Sequence, residues 1–244
     1  GISNVNLYVL YPHERISQIQ RKQMTTSNAK NVKVFAVQGT FDDCQLIVKE
    51  LFADKALVSD VNLSGVNSIN WARILVQIIY YFSAFYQLKD LSAGKLSFSV
   101  PTGNFGDAYA GYISKRMGLP INKIIVATNK NDILDRVFKT GVYKSDGVSK
   151  TLSPSMDIQV ASNFERLLFD LLNNNTKEVR KLMNNLSKKG HFNLEKRILT
   201  RISKDFDSGA VTDNDTIATI NHFYNEREIV LCPHSAIGVR VAKD

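Results

Sequence analysis

The sequence predicts an α/β protein: a mostly parallel, doubly wound sheet with helices on both faces and an added helical region. Three observations indicate this fold class. Short apolar runs alternate with amphipathic helical patterns up to about position 130. Beyond that point the pattern becomes mainly helical. The 244 residues, of which 44% are hydrophobic, are enough for one large domain or two small ones.

Five apolar runs are candidates for strands, in the order 5–10, 32–37, 57–61, 96–100 and 124–127. Helical patterns separate them. They cover 17–24, a segment from Asp42 or Asp43 (the expected cap) to about 52, the range 70–88, and 108–117. The 70–88 helix is expected to be buried, because apolar side chains recur along it at three- and four-residue steps. These are Ile74, Leu75, Ile78, Ile79, Phe82 and Phe85.

The second half predicts mainly helices joined by polar loops. A helix over 132–140 should stop at Gly141, and a polar loop follows over 143–156. Further helices are predicted at 163–172, 177–187, 194–206, 213–225 and 235–242, with a short strand at 229–231. The chain starts at a strand and stops inside a helix, so we expect it to be a segment of a longer polypeptide.

Composition excludes several classes of protein. With 22% charged residues and few prolines, the chain is not disordered, collagenous or of low complexity. No apolar run reaches the roughly 18–20 residues of a membrane span, and the first residues lack a signal-peptide pattern. Cys44 and Cys232 cannot form a disulfide framework and lack metal-site spacing. We therefore expect no metal, no membrane partner and a cytoplasmic location.

The formal net charge of +8 favours an anionic partner. Much of the excess lies between Lys177 and Lys204, where aromatic residues are nearly absent. Because bases would have no stacking platform there, a solvated helical face is favoured over a nucleic-acid contact. The alternative of an acidic macromolecular partner stays open.

The clearest local signal is the loop SVPTGNFGD, which joins the strand 96–100 to the helix 108–117. Gly103 and Gly106 allow a tight turn and a close approach of ligand to backbone. Amides from Gly103 through Asp107 can converge at the N-terminus of the helix, which suits a phosphate monoester. The loop is neither a Walker A nor a GxGxxG sequence, so ATP and NAD are disfavoured. An ordinary strand-to-helix turn is the alternative.

The segment SVPTGNFGDAYAGYISKRMGLP resembles the cofactor-phosphate segment of threonine synthases, which are pyridoxal-phosphate enzymes of fold type II. Other blocks resemble the family in the same order. They are LYPHERIS, QMTT, VQGTFDDCQLIVKELF, NSINWARILVQIIYYF, ATNKND, TLSPSMDI and PHSAIGV. The resemblance covers nearly the whole chain apart from about 173–215. It implies that 1–95 is part of the smaller α/β domain of the enzyme. It also implies that 96–244 is part of the larger cofactor-binding domain, with a helical insertion around 163–225.

The resemblance implies a set of site residues. Those implied to hold pyridoxal 5'-phosphate are Gly103, Asn104, Phe105, Gly106 and Asp107. Those implied to hold the substrate's phosphate or carboxylate are Asn67, Ser68, Asn70 and Arg73. The alternative is that Asn67 and Ser68 only cap a helix and Arg73 forms a surface pair. Weaker candidates are Ser155, Met156, Asp157, His234, Arg15 and Ser17.

The resemblance also implies that no catalytic residue lies in this chain. The family's Schiff-base lysine stands in a Phe-Lys-Asp setting upstream of the first strand seen here. This sequence contains no Phe-Lys-Asp, because Phe138-Lys139 is followed by Thr140, and Lys204-Asp205 follows Ser203. The chain alone is therefore expected to be inactive.

The implied activity is conversion of O-phospho-L-homoserine and water to L-threonine and phosphate, the last step of threonine biosynthesis. Two alternatives stay open: a phospholyase acting on another phosphorylated amino compound, and a non-catalytic binding module that retains the fold. The expected partner is the small-molecule substrate, with no nucleic acid, in a monomer or homodimer.

Overall fold

The computed structural model describes residues 4–88, 90 and 95–243. The chain divides into two compact units, Gly1–Gly65 and Val66–Asp244. The boundary near residue 95, expected between the domains of the whole enzyme, stays a prediction. None of the described helices is both long and apolar enough to cross a membrane.

The first unit is a small parallel α/β arrangement. Strands β1 (Leu7–Pro12) and β2 (Val32–Val37) pair in parallel and are joined through helix α1 (Gln18–Thr25). Helices α2 (Phe41–Ala53) and α3 (Lys55–Asp60) follow. Parallel pairing requires a crossover connection, which α1 provides.

Two predictions for this unit were wrong. The strand expected at 57–61 is helix α3, because the Asp54 side chain accepts hydrogen bonds from the amides of Ala56 and Leu57 and starts a helix there. Helix α2 is capped by Thr40 rather than by Asp42 or Asp43. Asp43 instead completes a capping box by accepting from the Thr40 amide at 2.6 Å.

The second unit alternates helices and strands before it becomes mainly helical. In chain order its elements are α4 (Trp71–Leu88), β3 (Leu96–Pro101), α5 (Gly106–Arg116), β4 (Ile121–Thr128), α6 (Ile133–Thr140), β5 (Val142–Lys144), α7 (Phe164–Leu171), α8 (Thr176–Lys189), β6 (His191–Asn193), α9 (Lys196–Asp205), β7 (Phe206–Ala210), α10 (Asp213–Arg227) and α11 (Pro233–Lys243). A short 3₁₀ turn covers Pro154–Met156.

The main sheet of this unit is parallel, in the order β3-β4-β7. Strands β5 and β6 form a separate antiparallel pair. Strand β7 passes between two layers of helices. Phe206 packs against Phe105 and Phe138 on one face, whereas Gly209 faces Val241 of α11 on the other. Successive residues of a strand point to opposite faces, so helices cover both sides of the sheet. The predicted fold class is therefore confirmed.

In this unit the sequence prediction missed three of the described strands and placed one wrongly. Strands β5 and β6 are three residues long and β7 reads FDSGA, so none shows an apolar run. Gly209 leaves room in β7 for Val241, because a Cβ there would lie 2.6 Å from a methyl of that side chain. Residues 229–231, expected as a strand, have no regular structure.

Helix α4 is buried on one face only. Ile74, Ile78 and Tyr81 are buried, as the periodicity predicts for the first two. Leu75 and Ile79 were also expected in the core, but they are 55% and 61% exposed. Side chains at adjacent helical positions point about 100° apart, so Leu75 and Ile79 lie beside the buried stripe rather than in it.

Candidate functional site

The loop between β3 and α5 is anchored to the neighbouring strand at its first residue. The Thr102 amide donates to the Ala127 carbonyl at 2.7 Å, and the Thr102 hydroxyl donates to the Val100 carbonyl at 2.6 Å. Both bonds are buried within the carboxyl end of the sheet. This edge is where parallel α/β sheets bind their ligands.

Gly103 is in close contact with a second loop. A Cβ at this position would lie 2.9 Å from the Ser155 carbonyl oxygen and 3.3 Å from the Met156 Cα. Both neighbouring atoms belong to backbone, which cannot swing aside as a side chain can. Glycine is therefore required at 103 for the two loops to meet.

Phe105 is the N-cap residue of α5 and has left-handed backbone, with φ 64° and ψ 6°. A bulky residue in this region is strained, and such strain persists only where the surroundings enforce it. Here the ring is 1% exposed and packs against Phe138, Phe164 and Phe206. The aromatic packing therefore fixes the conformation of the loop.

The loop presents a group of unused amide donors. Among the described residues, no hydrogen bond uses the backbone N–H groups of Gly103, Phe105, Gly106 and Asp107. The last two belong to the first turn of α5, whose N–H groups have no partner within the helix. The positive end of the helix dipole adds to them. This donor set fits a phosphate monoester, and glycine at 103 and 106 leaves the approach open.

Asp107 lies in the first turn of α5 with little access to water. Its backbone carbonyl accepts from the Tyr81 hydroxyl at 2.8 Å, and its Oδ1 is buried without a hydrogen-bond partner. Burial raises the pKa of the Asp107 carboxyl, an effect that the nearby Tyr81 hydroxyl partly opposes. The backbone N–H of Asp107 is a separate donor that does not depend on the charge of this carboxyl.

A cleft of about 140 Å³ brings the loop together with the start of α4. Residues 101–108 form one wall, and Ser68, Arg73 and Gln77 form the other. Arg73 is exposed, and its Nη1 donates to the Val66 carbonyl at 3.3 Å. Ser68 and Arg73 therefore lie where an anion next to the loop would meet them.

The other two predicted substrate residues do not line this cleft. The Asn67 side chain accepts from the Ile69 amide at 3.2 Å, and the Asn70 side chain accepts from the Ala72 amide at 2.9 Å. These contacts order the backbone at the entry to α4. Ser68 lies between Asn67 and Asn70 in the sequence and lines the cleft.

Three residues that the sequence prediction did not single out contribute to the site. Gln77 lies one turn after Arg73 on the same face of α4, a spacing that could have identified it. Asn163 and Arg166 stand behind both walls of the cleft. The Asn163 side-chain amide donates to the carbonyls of Ser68 at 2.8 Å and Asn104 at 3.1 Å. No local pattern in the sequence distinguishes Asn163 from an ordinary helix start.

The loop 151–157 packs against Gly103 of the loop that lines the cleft. The Met156 side chain packs in the core with Ala127, Val211 and Ile237, whereas its backbone and that of Ser155 lie against Gly103. The buried Asp157 carboxylate accepts from the side chains of Asn129 and Asn131 and from the amide and hydroxyl of Thr151. Asp157 thus ties the loop 151–157 to the residues that follow β4.

The remaining candidates belong to other segments of the chain. Arg15 and Ser17 are in the first unit, where Ser17 caps α1. His234 is in the first turn of α11, and burial lowers the pKa of its imidazole. That turn is capped by Cys232, whose sulfur accepts from the Ser235 amide at 3.4 Å.

A larger cavity of about 410 Å³ lies between α8, β6 and the start of α9.

The chain is similar to threonine synthases over nearly its whole length. It is 48% identical to that of Pseudomonas aeruginosa, covering 99% of this chain and 51% of that protein. It is also 48% identical to that of Saccharomyces cerevisiae, covering 98% and 49%. The structure matches PLP-bound threonine synthase from Brucella melitensis with a TM-score of 0.87 and 48% identity, covering 100% of this chain and 52% of that one.

No protein-family model matches the chain. The resemblance inferred from the sequence blocks is confirmed, as is the fold that it implies. The chain spans about half the length of the curated relatives it matches.

Proposed function

We propose that this chain is about half of a pyridoxal-phosphate-dependent threonine synthase. The whole enzyme converts O-phospho-L-homoserine and water to L-threonine and phosphate. The observation that carries the proposal is the set of unused N–H donors between Gly103 and Asp107 at the N-terminus of α5. The similarity to threonine synthases supports it.

The loop residues Gly103, Asn104, Phe105, Gly106 and Asp107 would hold the phosphate of pyridoxal phosphate. When bound, this cofactor supplies an electron sink for the carbanion chemistry of the reaction. The loop binds the anion through backbone donors, which stay oriented because Phe105 is locked by its aromatic neighbours. The same aromatic cluster excludes water from beneath the loop.

The second wall of the cleft would receive the phosphate of the substrate. Ser68 and Arg73 face the loop across the cleft, and a guanidinium can bind a phosphate with two parallel hydrogen bonds. Asn67 and Asn70 would act indirectly, by ordering the segment that carries Ser68. The positive charge of Arg73 would also stabilise the phosphate as it leaves.

The proposal extends to features beyond the cleft. The lysine that would move protons at the substrate is expected upstream. We also propose a cytoplasmic location, a monomer or homodimer, no nucleic-acid partner, and the domain division near residue 95.

The test uses the full-length protein that contains this chain. Purified protein loaded with pyridoxal phosphate should release threonine and inorganic phosphate in equal amounts from O-phospho-L-homoserine. Arg73→Met should raise KM for this substrate about tenfold, because one charge-assisted contact is lost. The KM of Arg73→Lys, which keeps the charge, should lie between that of the wild type and that of Arg73→Met.

Three results would contradict the proposal in different ways. Phosphate release from O-phosphoethanolamine without threonine formation would indicate a phospholyase. Failure to bind pyridoxal phosphate would indicate a binding module. An unchanged KM in Arg73→Met would remove Arg73 from the substrate site while leaving the cofactor site intact.

A further inference from the structure

The two walls of the cleft are held together from behind by Asn163 and Arg166. Asn163 is fully buried and lies just before α7. Its backbone N–H and its side-chain Nδ2 both donate to the Asn104 carbonyl at 3.1 Å, and Nδ2 also donates to the Ser68 carbonyl at 2.8 Å. One side chain therefore bonds to the loop wall and to the α4 wall at once.

Arg166 fixes the orientation of Asn163. Its Nε donates to Asn163 Oδ1 at 2.9 Å, and its Nη2 donates to the Ile69 carbonyl at 2.8 Å. Its guanidinium lies 5.5 Å over the ring of Trp71, the first residue of α4. If the Asn163 amide flipped, its oxygen would face two carbonyl oxygens and its NH₂ would face the guanidinium, so only one orientation is possible.

We propose that Asn163 and Arg166 are positioning residues that set the affinity of the cleft for phosphate groups. This inference rests on the proposed function, which supplies the phosphates. The pair acts through backbone carbonyls of Asn104, Ser68 and Ile69, none of which belongs to a helix or strand. Without the pair, the carbonyls of Ser68 and Ile69 lose their only hydrogen-bond partners among the described residues.

The mechanism follows from the geometry of the peptide bond. The Asn104 carbonyl and the Phe105 N–H belong to one planar trans peptide group, so they point in opposite directions. Anchoring the Asn104 oxygen to Asn163 therefore aims the unused Phe105 N–H away from Asn163. Arg166 has a corresponding effect on the other wall, because its bond to the Ile69 carbonyl fixes the backbone one residue after Ser68 and four residues before Arg73.

The test compares two ligands that differ only in the phosphate group. The full-length apoenzyme is titrated with pyridoxal phosphate and with pyridoxal, and binding is followed by absorbance. Asn163→Ala should weaken pyridoxal phosphate binding about tenfold and leave pyridoxal binding unchanged. Arg166→Lys, which keeps the charge but loses the planar fork, should act in the same direction. Asn122→Ala, at an exposed asparagine, is the control and should leave both affinities unchanged.

The melting temperature of each apoenzyme separates positioning from misfolding. If Asn163→Ala does not fold, Arg166→Lys carries the same comparison. An equal loss for both ligands, or pyridoxal phosphate affinity within about twofold of wild type, would overturn the inference alone. Wild-type protein that binds no pyridoxal phosphate would overturn the proposed function, and this inference with it.

Discussion

Gly103 and Ser155 meet backbone to backbone: a Cβ on Gly103 would lie 2.9 Å from the Ser155 carbonyl oxygen. The loop that carries the amide donors therefore rests on the loop 151–157, which is itself held by the buried Asp157 carboxylate. The phosphate that we propose for the cleft would depend on this contact for its position, although Ser155 does not line the cleft.

Gly103→Ala should weaken binding of pyridoxal phosphate by the full-length protein by at least about tenfold, because the loop must shift and small misplacements are costly. Gly106→Ala is the matched comparison. Its Cβ would meet only side-chain atoms, at 3.4 Å from Asn163 and 3.6 Å from Gln77, so its effect should be smaller. Titration of the apoenzyme measures both. Equal affinities for the two variants would show that the contact with Ser155 has no bearing on binding.

Phe105→Ala should destabilise the protein by about 3–5 kcal/mol, since it removes a buried ring from the aromatic cluster. Phe105→Gly should be the more stable of the two variants, because glycine relieves the left-handed backbone at φ 64°. Urea unfolding of both variants measures the difference. The reverse order would contradict the left-handed conformation, because alanine is strained at positive φ and glycine is not.

Asp107→Asn should stabilise the apoenzyme at neutral pH but not in acid. The raised pKa of Asp107 means that the folded state holds its proton more tightly than the unfolded state. Wild-type stability is therefore lost as pH rises from about 4, the ordinary carboxyl range, through the raised pKa. The melting temperature of the variant should exceed that of wild type near pH 7, and the two should converge near pH 4. A constant difference in melting temperature between pH 4 and pH 7 would show that ionisation of Asp107 does not limit the stability of the wild type.

Asp157→Ala should destabilise the protein by at least about 2 kcal/mol, because four hydrogen bonds lose their acceptor in a buried site. Asp146→Ala is the control. Asp146 is exposed and pairs with Arg136 and Lys144, so its loss should cost less than about 1 kcal/mol. Denaturant unfolding compares them. Similar losses for both variants would contradict a special role for the Asp157 network.

The sequence allowed prediction of elements whose local pattern is strong. The strands at 32–37 and 96–100 and the helices of the second half carry clear periodicity and caps, and they lie close to the expected bounds. Strand β7 could not be predicted, because its fit depends on Gly209 facing Val241, a contact between distant positions. Helix α3 was mistaken for a strand because the short apolar run outweighed the Asp54 cap.

The candidate site was predictable in part for the same reason. The glycine loop is a continuous segment, so its residues could be named in advance. The grouping of Ser68 and Arg73 with that loop came from the family resemblance and not from spacing. Asn163 and Arg166 act on carbonyls about 60 to 100 positions away, and no single-sequence pattern encodes such bonds.

The aromatic packing around Phe105 has a consequence for biosynthesis of the protein. The rings that hold this residue come from Phe138, Phe164 and Phe206, which a ribosome adds well after Phe105 itself. Until Phe206 has left the exit tunnel, one side of the ring has no partner. The loop that we propose as the receptor for the coenzyme's phosphate can thus reach its final packing only after residue 206 has been translated.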